Sequence, residues 1–342
     1  MSVPDIAPIL APGKLPGPLL ERLIESYRTL PDPDVLVPTG YGRDAAALLV
    51  PENQPLIVKS DPITFATSAA ARYLVAVNAN DIACLGGRPR WLTVVMLVPV
   101  GTLESTVEQL FADLQNACDA LDIAVIGGHS EVTAAVSQPV LVGTMLGVAG
   151  PSGLLEPGGA KVGDDILLTQ MAGIEGTALL ARERTAQLVP MVGADVVSRA
   201  AKLLQMPGIS VVRAAEALLA TGLVRALHDP TEGGVATAIH ELAAASGCGV
   251  EVLHDAIPVL PETRLICEVF GLDPLGLLGS GALLVAVSPA DRKIVERAAS
   301  RAAIPISHVG RLVDRAEGST MLSSIGRVPL PRFDADEVTR VL

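Results

Sequence analysis

The chain of 342 residues has a formal net charge of −12, and 50% of its residues are hydrophobic although only 2% are aromatic. The negative charge argues against nucleic acid or an anionic membrane as the main partner, and a phosphate-bearing ligand would need a metal ion to bridge it. The length suits two domains, and an interior of small aliphatic residues and glycine favours a layered α/β architecture. No apolar run reaches the roughly 18 residues of a spanning helix and no signal peptide is recognised, so we expect a cytoplasmic protein.

The first domain is predicted over residues 36–150, after an N-terminal arm formed by residues 1–35. The arm contains one amphipathic segment, PLLERLIESYRTL, which we expect to pack on the body of the protein or on a partner without a catalytic part. The domain itself alternates between strands and two helices. The predicted strands are AALLV, PLIVKSD, RWLTVVMLVPV, IAVIGG and PVLVGTMLGVAG, and the predicted helices are SAAARYLVAVNANDIACLGG and LESTVEQLFADLQNACDALD.

A linker rich in Gly and Pro is predicted at residues 151–165, followed by a second α/β domain over residues 166–320 and a tail over residues 321–342. Helices are expected near residues 176–183, 193–204 and 211–221. Strand VRAL leads into helix GVATAIHELAAAS, and strand ALLVAVSP leads into helix ADRKIVERAASRA.

Three polar residues interrupt the otherwise apolar first helix near its end: Asn78, Asn80 and Asp81. Asn78 and Asp81 are three residues apart, so they share one face of the helix. Taken alone, such residues are more often solvated or bound to a neighbouring loop than part of a functional site. Their number and position nevertheless make them candidate ligand-binding residues.

Carboxylates recur at predicted strand boundaries or in glycine-containing turns, where α/β folds place ligands. Together with Asp81 they make five candidate oxygen donors for a hard cation such as Mg²⁺, which prefers carboxylates and keeps part of its shell for water and phosphate. Each one alone could equally be a turn former or a helix cap. The candidate metal residues are Asp44, Asp61, Asp81, Glu131 and Asp229.

Two glycine-bearing segments, IGGHSE and DPTEGG, are predicted to be turns that approach a phosphate group. Neither is a Walker motif, and no Rossmann fingerprint is present, so the glycines could also serve tight turns and close packing alone. The candidate nucleotide-binding residues are Lys59, Asn78, Asn80, Gly127, Gly128, Thr231, Gly233 and Gly234. His129 and His228 lie inside the two segments and are candidates for orienting the substrate or moving a proton.

The motif order resembles one superfamily of ATP-using enzymes over residues 36 to 315. The relevant segments are GRDAAALL, KSD, NANDIACLGGRP, GGHSEV, GAKVGDDILLTQMAGIEGTALLA, HDPTEGGVATAIHELA and GLDPLGLLGSGALLVAV. The chain is thereby identified as a member of the superfamily of aminoimidazole ribonucleotide synthetase, selenophosphate synthetase and thiamine-monophosphate kinase. It is most similar to the HypE branch, the hydrogenase expression/formation proteins.

The resemblance implies a two-domain aminoimidazole ribonucleotide synthetase-like fold, in which the N-terminal domains pair their sheets in a homodimer. It also implies ATP and Mg²⁺ bound by the acidic and glycine-rich segments. The resemblance matches four aspartates to the family's metal-binding positions: Asp44, Asp61, Asp81 and Asp229. Asn78 or Asn80 matches the asparagine that accompanies them in the family. Catalysis in this family activates an acceptor by phosphorylation, which depends on positioning and charge neutralisation.

The chain departs from the HypE pattern at three places. No cysteine follows Cys267, so the HypE reaction on a C-terminal cysteine is not expected here. Arg43 replaces a second acidic residue, and Gly279-Ser280-Gly281 replaces the usual Glu/Asn-Gly. We therefore expect a HypE-related, Mg²⁺-dependent enzyme that phosphorylates a small-molecule or protein-borne acceptor. The alternatives are a small-molecule kinase of the thiamine-monophosphate kinase type and a non-catalytic nucleotide-binding assembly protein.

Overall fold

The computed structural model describes residues 9–29, 31–38, 40, 45–50, 52, 54–64, 69–324 and 326–342. These residues form two compact units, the first comprising residues up to 82 and 88–149, the second residues 83–87 and 150–342. Each unit combines one large sheet with helices, so the predicted α/β class is confirmed. No described helix is both long enough and apolar enough to span a bilayer.

Over its described residues, the first unit has three helices, a five-stranded sheet of order β1-β6-β5-β7-β4 and a small β2-β3 ribbon. The helices are α1 (Gly17–Ser26), α2 (Ala70–Cys84), whose residues Ala83 and Cys84 belong to the second unit, and α3 (Glu104–Asp119). The strands are β1 (Gly13–Lys14), β2 (Val35–Val37), β3 (Ala47–Leu48), β4 (Leu56–Ile63), β5 (Gly87–Pro99), β6 (Ala124–Thr133) and β7 (Val140–Ala149). β5 and β6 are parallel, whereas β4 pairs with β7 and β1 with β6 in antiparallel fashion.

The amphipathic segment of the N-terminal arm forms α1 and packs on the body of the first unit. Leu19 and Leu23 are buried. On the outer side, the Arg22 guanidinium donates to Glu104 at 2.6 Å and to Glu108 at 2.7 Å, which ties α1 to α3. The segment therefore packs on the body of the protein, which is one of the two positions that the sequence analysis left open.

The second unit is built on a seven-stranded sheet of order β14-β13-β10-β12-β8-β11-β9, mostly antiparallel, with β10 and β13 parallel. Its strands are β8 (Asp165–Thr169), β9 (Val224–His228), β10 (Gly249–Leu253), β11 (Leu283–Val287), β12 (Ile306–Val313), β13 (Ser319–Ser323) and β14 (Gly326–Pro329). Its helices are α4 (Ile174–Glu183), α5 (Thr185–Val192), α6 (Ala194–Ala201), α7 (Val212–Leu219), α8 (Gly234–Ala245), α9 (Pro261–Phe270) and α10 (Arg292–Arg301).

The core of the second unit lies where α8 packs on the sheet. Val235, Ile239 and Leu242 of α8 belong to one buried cluster with residues of β8 and β11, such as Ile166 and Leu284. Several alanines in the same cluster keep the helix close to the strands, since a small side chain lets backbones approach. This packing fixes where α8 begins, and the polar residues of the preceding turn lie at that end.

The predicted turn IGGHSE is wrong, because β6 continues through it to Thr133. Val125 pairs with Leu92 but Gly127 pairs with Thr93, so one extra residue forms a β-bulge just before the two glycines. A Cβ on Gly128 would lie 2.0 Å from the Val94 carbonyl oxygen, so this position requires glycine. Gly128 thus serves close strand pairing, and Glu131 lies inside a strand rather than in a turn.

Replacement of Gly128 by alanine should destabilise the first unit by roughly 3 kcal/mol, because the added methyl group overlaps the β5 backbone. The adjacent Gly127→Ala is the matched control, since its Cβ would meet only Thr93 Cγ2 at 3.8 Å. Urea unfolding of both variants measures the difference. Equal losses of stability in the two variants would contradict the bulge geometry.

Candidate functional site

The end of α2 is attached to β4 by a buried amide. The Asn78 side chain is fully buried; its Oδ1 accepts from the Asp61 backbone N–H at 3.0 Å, and its Nδ2 donates to the Leu74 carbonyl at 2.9 Å. Asn80 is fully buried in the same helix. Both asparagines are thus packed inside the first unit, and Asn78 positions Asp61.

Lys59 forms ion pairs with two carboxylates near this attachment, those of Asp61 in β4 and Asp81 in α2. Its Nζ lies 2.9 Å from Asp61 Oδ2 and 2.9 Å from Asp81 Oδ2, so the two carboxylate oxygens lie within twice that distance of each other. The three side chains are 28% to 34% exposed and therefore accessible to a ligand. We call Lys59, Asp61 and Asp81 the acidic cluster.

The lysine in the acidic cluster stays firmly protonated. Partial burial acts to lower the pKa of Lys59, but the hydrogen bonds and charges of Asp81 and Asp61 outweigh it and raise the pKa well above its ordinary value. With one ammonium and two carboxylates in ionised form, the cluster carries one net negative charge.

The glycines and the histidine of β6 line a separate cavity of about 970 Å³ in the first unit. Its wall includes Gly127, Gly128, His129 and Thr144, together with residues of α1 and α3. His129 Nε2 lies 3.1 Å from Glu131 Oε2, and this contact lowers the pKa of Glu131. The volume is in the range of small-molecule pockets.

The acidic cluster and the cavity lie on different sides of the sheet. Ser60 Oγ lies 3.1 Å from Thr144 Oγ1, which lines the cavity, whereas Lys59 and Asp61 flank Ser60 and point to the opposite face. β6 is three strands from β4, which places Glu131 on the order of 14 Å from Asp61. One Mg²⁺, with ligands at about 2.1 Å, cannot be held by both carboxylates.

The second unit holds the residues predicted from the segment HDPTEGG. His228, the last residue of β9, has its Nε2 2.9 Å from Glu241 Oε2, and this contact lowers the pKa of Glu241. Asp229 directly follows the strand, as predicted, and is 3% exposed; its Oδ1 accepts from Cys84 Sγ at 3.4 Å within the same unit. Asp44 lies outside the described residues.

The turn before α8 is shaped by two glycines in the left-handed region. Gly233 has φ +76° and Gly234 φ +63°, and a Cβ on Gly234 would lie 2.4 Å from the Leu275 carbonyl oxygen. The Thr231 carbonyl accepts from Gly234 N at 3.1 Å. The Gly233 amide donates to Asp336 Oδ2 at 2.8 Å. At this amide, a carboxylate of the chain itself occupies the place where the sequence analysis expected a phosphate.

Two buried acids near this turn were missed by the sequence analysis. Glu175, in the first turn of α4, accepts from Ser280 N at 3.3 Å, and burial raises its pKa to about 7. Burial likewise raises the pKa of Asp336 to about 6. The signal for Glu175 was present, because a carboxylate inside the apolar segment MAGIEGTALLA is as unusual as the polar residues near the end of α2.

The donor set of the acidic cluster fits a magnesium ion that completes its shell from elsewhere. Mg²⁺ is commonly held by one or two carboxylates, water and substrate phosphates. Among the described residues, no group of three or more His, Cys, Asp or Glu side chains could hold a metal ion by itself. Asp61 and Asp81 are therefore suited to a metal that arrives with a phosphate ligand rather than to a permanent structural metal.

Family models of AIR synthase related proteins match the chain twice, the N-terminal domain model at residues 42–149 and the C-terminal domain model at residues 161–323. The carbamoyl dehydratase HypE of Escherichia coli K12 is 28% identical over 282 residues, which cover 79% of this chain and 80% of the relative. That of Rhodobacter capsulatus is 29% identical over 232 residues. The latter match covers 67% of this chain and 65% of the relative's length.

Solved structures share the fold. A crystal structure of the hydrogenase maturation protein HypE in complex with ATP has a TM-score of 0.76, 23% identity and coverage of 94% of both chains. Thiamine-monophosphate kinase from Stenotrophomonas maltophilia K279a has a TM-score of 0.71, 24% identity and coverage of 89% of this chain and 95% of the kinase. The predicted two-domain, aminoimidazole ribonucleotide synthetase-like fold is confirmed.

The buried acid Glu175 should make the stability of the second unit depend on pH. Its folded pKa is raised, so its favourable contribution is complete below its unfolded pKa and is lost as the pH rises through about 7. Glu175→Gln should therefore gain stability relative to the natural chain at pH 8, on the order of 2 to 3 kcal/mol, and little at pH 5. Urea unfolding at both pH values measures the gain.

The exposed Glu268→Gln on α9 provides the control for a change of charge without burial. A gain for Glu175→Gln that is the same at pH 5 and pH 8 would show that this carboxyl group does not titrate in the folded protein.

Proposed function

Because the chain belongs to the family of AIR synthase related proteins, we propose that it is a HypE-related enzyme that uses ATP with Mg²⁺ to activate an acceptor by phosphorylation. The observation that best supports this proposal is the bridging of Asp61 and Asp81 by one cationic group, Lys59 Nζ, at 2.9 Å from each. Two carboxylates gathered around a cation, at a partly exposed position, are suited to a metal-phosphate ligand.

The charge of the acidic cluster explains why a metal would be required. A triphosphate approaching one net negative charge is repelled, whereas a bound divalent cation would turn that charge into one net positive charge. When bound, Mg²⁺ supplies neutralisation of the phosphate charge. The chain's part is to orient: Asn78 holds the backbone at Asp61, and Lys59 offers an ammonium to the same ligand.

The cavity of the first unit offers a second place for a small molecule, separate from the acidic cluster. Its volume of about 970 Å³ and its mixed lining, with the apolar Leu20 and Phe111 beside the polar Thr93 and His129, are typical of small-molecule sites. His129, whose Nε2 contacts Glu131, would help to orient a molecule bound there. The acceptor is a small molecule or a group carried by a protein, as one relative is known in a HypE-HypF complex.

A homodimer formed through the first sheet is part of the proposal. Val58 and Val95 are 58% and 37% exposed, and each follows a buried residue of its own strand, Ile57 in β4 and Val94 in β5. An open sheet face with exposed aliphatic side chains is a surface that a second copy would cover.

Calorimetric titration with a non-hydrolysable ATP analogue, with and without Mg²⁺, is the experiment that tests the proposed function. We expect binding that requires Mg²⁺. Binding without turnover of ATP on any acceptor would favour the non-catalytic assembly protein, and phosphorylation of a free small molecule would favour the kinase. No binding in either condition would refute the proposal.

Asp81→Asn should weaken Mg²⁺-dependent binding of the analogue by roughly 10- to 100-fold, because it removes one of two carboxylates while conserving shape. The measurement is the same titration. Asp195→Asn, at an exposed position in α6, is the matched control and should bind as the natural chain does. Unchanged affinity of Asp81→Asn with an intact fold by circular dichroism would remove the acidic cluster from the nucleotide site.

Val58→Asp should convert the dimer to a monomer, because a charge would be buried without a partner at the proposed interface. Light scattering coupled to size exclusion measures the mass. Val162→Asp, at a position that is equally exposed but lies in the second unit, should leave the mass unchanged. A monomeric natural chain, or a dimer that survives Val58→Asp, would refute pairing through this face.

A further inference from the structure

The acidic cluster has two members that are held in place and one that can move. The Asp61 backbone N–H donates to Asn78 Oδ1 at 3.0 Å, and Asn78 Nδ2 donates to the Leu74 carbonyl at 2.9 Å. Asp81 lies three residues after Asn78 on the same helix. The two carboxylates are thus carried on short side chains by a strand and a helix that are bonded to each other. Lys59 instead carries its ammonium on a flexible four-carbon chain.

The ammonium of Lys59 is shared by the two carboxylates. Lys59 and Asp61 are two residues apart in β4, so their side chains point to the same face of the sheet. Lys59 Nζ lies 2.9 Å from Asp61 Oδ2 and 2.9 Å from Asp81 Oδ2, so one positive charge contacts an oxygen atom of each acid. The lysine therefore uses the same two acids that the proposed function assigns to a metal ion.

The ammonium and a divalent cation exclude each other at these oxygen atoms. Mg²⁺ takes oxygen ligands at about 2.1 Å, so a magnesium ion on the two acids would approach Nζ closely. Two cations at such short separation repel each other strongly. Since Asp61 and Asp81 are held by the backbone around them, Lys59 is the member that gives way.

Displacement of the ammonium carries only a modest penalty. The three side chains are 28% to 34% exposed, and ion pairs in contact with solvent are weak. Two such contacts correspond to a change in affinity of roughly 10-fold. Lys59 therefore competes with a metal ion without preventing its binding.

We propose that Lys59 is an exchangeable internal cation, which holds Asp61 and Asp81 together and gives way when the two acids bind a divalent metal ion. The inference deepens the proposed function, and it rests on that function for the metal-phosphate ligand. With such a ligand, the displaced ammonium turns to the phosphate and regains an anionic partner. The metal alone then binds weakly, and metal and phosphate favour each other's binding.

Electron paramagnetic resonance of Mn²⁺, added as its chloride without nucleotide, tests the exchange on the full chain. Mn²⁺ takes the same kinds of oxygen ligand as Mg²⁺. Lys59→Met should bind Mn²⁺ roughly 10-fold more tightly than the natural chain, because methionine keeps an unbranched side chain but brings no charge to compete for the two acids. Equal or weaker binding of Mn²⁺ by this variant would overturn the proposal.

Two further variants control for charge and shape. Lys293→Met removes the same charge at an exposed position on α10 of the second unit, and Lys59→Arg keeps a permanent charge beside the carboxylates. Both should bind Mn²⁺ no more tightly than the natural chain. A gain in Lys293→Met equal to that in Lys59→Met would trace the effect to net charge and refute the role of Lys59.

Calorimetric titration with the non-hydrolysable ATP analogue at saturating Mg²⁺ tests where the ammonium goes. The affinity of Lys59→Met for the analogue should be roughly 3- to 10-fold lower than that of the natural chain, because the phosphate loses a charged donor. A lysine with a merely structural role would not change the two affinities in opposite directions. Analogue affinity that rises together with that for Mn²⁺ would contradict the movement of Lys59 to the phosphate.

The two titrations separate this inference from the proposed function. Tighter Mn²⁺ binding by Lys59→Met, with no analogue bound by either chain, would support the exchange of cations and refute the nucleotide site. Mg²⁺-dependent analogue binding with unchanged Mn²⁺ affinity in the variant would support the proposed function and overturn the exchange. If circular dichroism shows that Lys59→Met does not fold, Lys59→Gln takes its place, and Mn²⁺ affinity equal to that of the natural chain would be equally decisive against the exchange.

Discussion

The attachment of α2 to β4 depends on one buried amide, Asn78. Its side chain bonds to the backbone of the strand on one side and to its own helix on the other, and a buried amide without these partners would cost roughly 1 to 3 kcal/mol. Gly143 faces this amide, and a Cβ added at Gly143 would lie only 3.1 Å from Asn78 Nδ2. The approach of helix and strand, and with it the meeting of Asp61 and Asp81 at Lys59, follows from this arrangement.

The local part of the site was predictable, and the long-range part was not. The polar residues at the end of α2 and the strand PLIVKSD could be found from periodicity and from polar residues in an apolar segment. That Lys59 contacts Asp81 requires knowing which strand lies under the helix. The continuation of β6 through Gly127 and Gly128 depends on pairing with β5, which a local pattern does not report.

The grouping of carboxylates by their positions at predicted strand boundaries also misled the sequence analysis. Both large sheets are mixed, and the antiparallel partners of β4 and β8 place successive strand ends at opposite edges. Glu131 was therefore grouped with Asp61 although two strands, β5 and β7, lie between their strands. Asp336, which lies about one hundred residues after the turn that it holds, could be connected to Gly233 only by the fold.

The position of β4 has a consequence for the behaviour of the chain in solution. As the last strand of its sheet it exposes a row of backbone groups to which another chain could add, and its exposed Val58 would favour such growth. Lys59, Asp61 and Pro62 interrupt this edge with two charges and a residue that has no N–H group to donate. Lys59 and Asp61, two members of the acidic cluster, thus also place charges where another strand would add, which disfavours open-ended pairing at this edge.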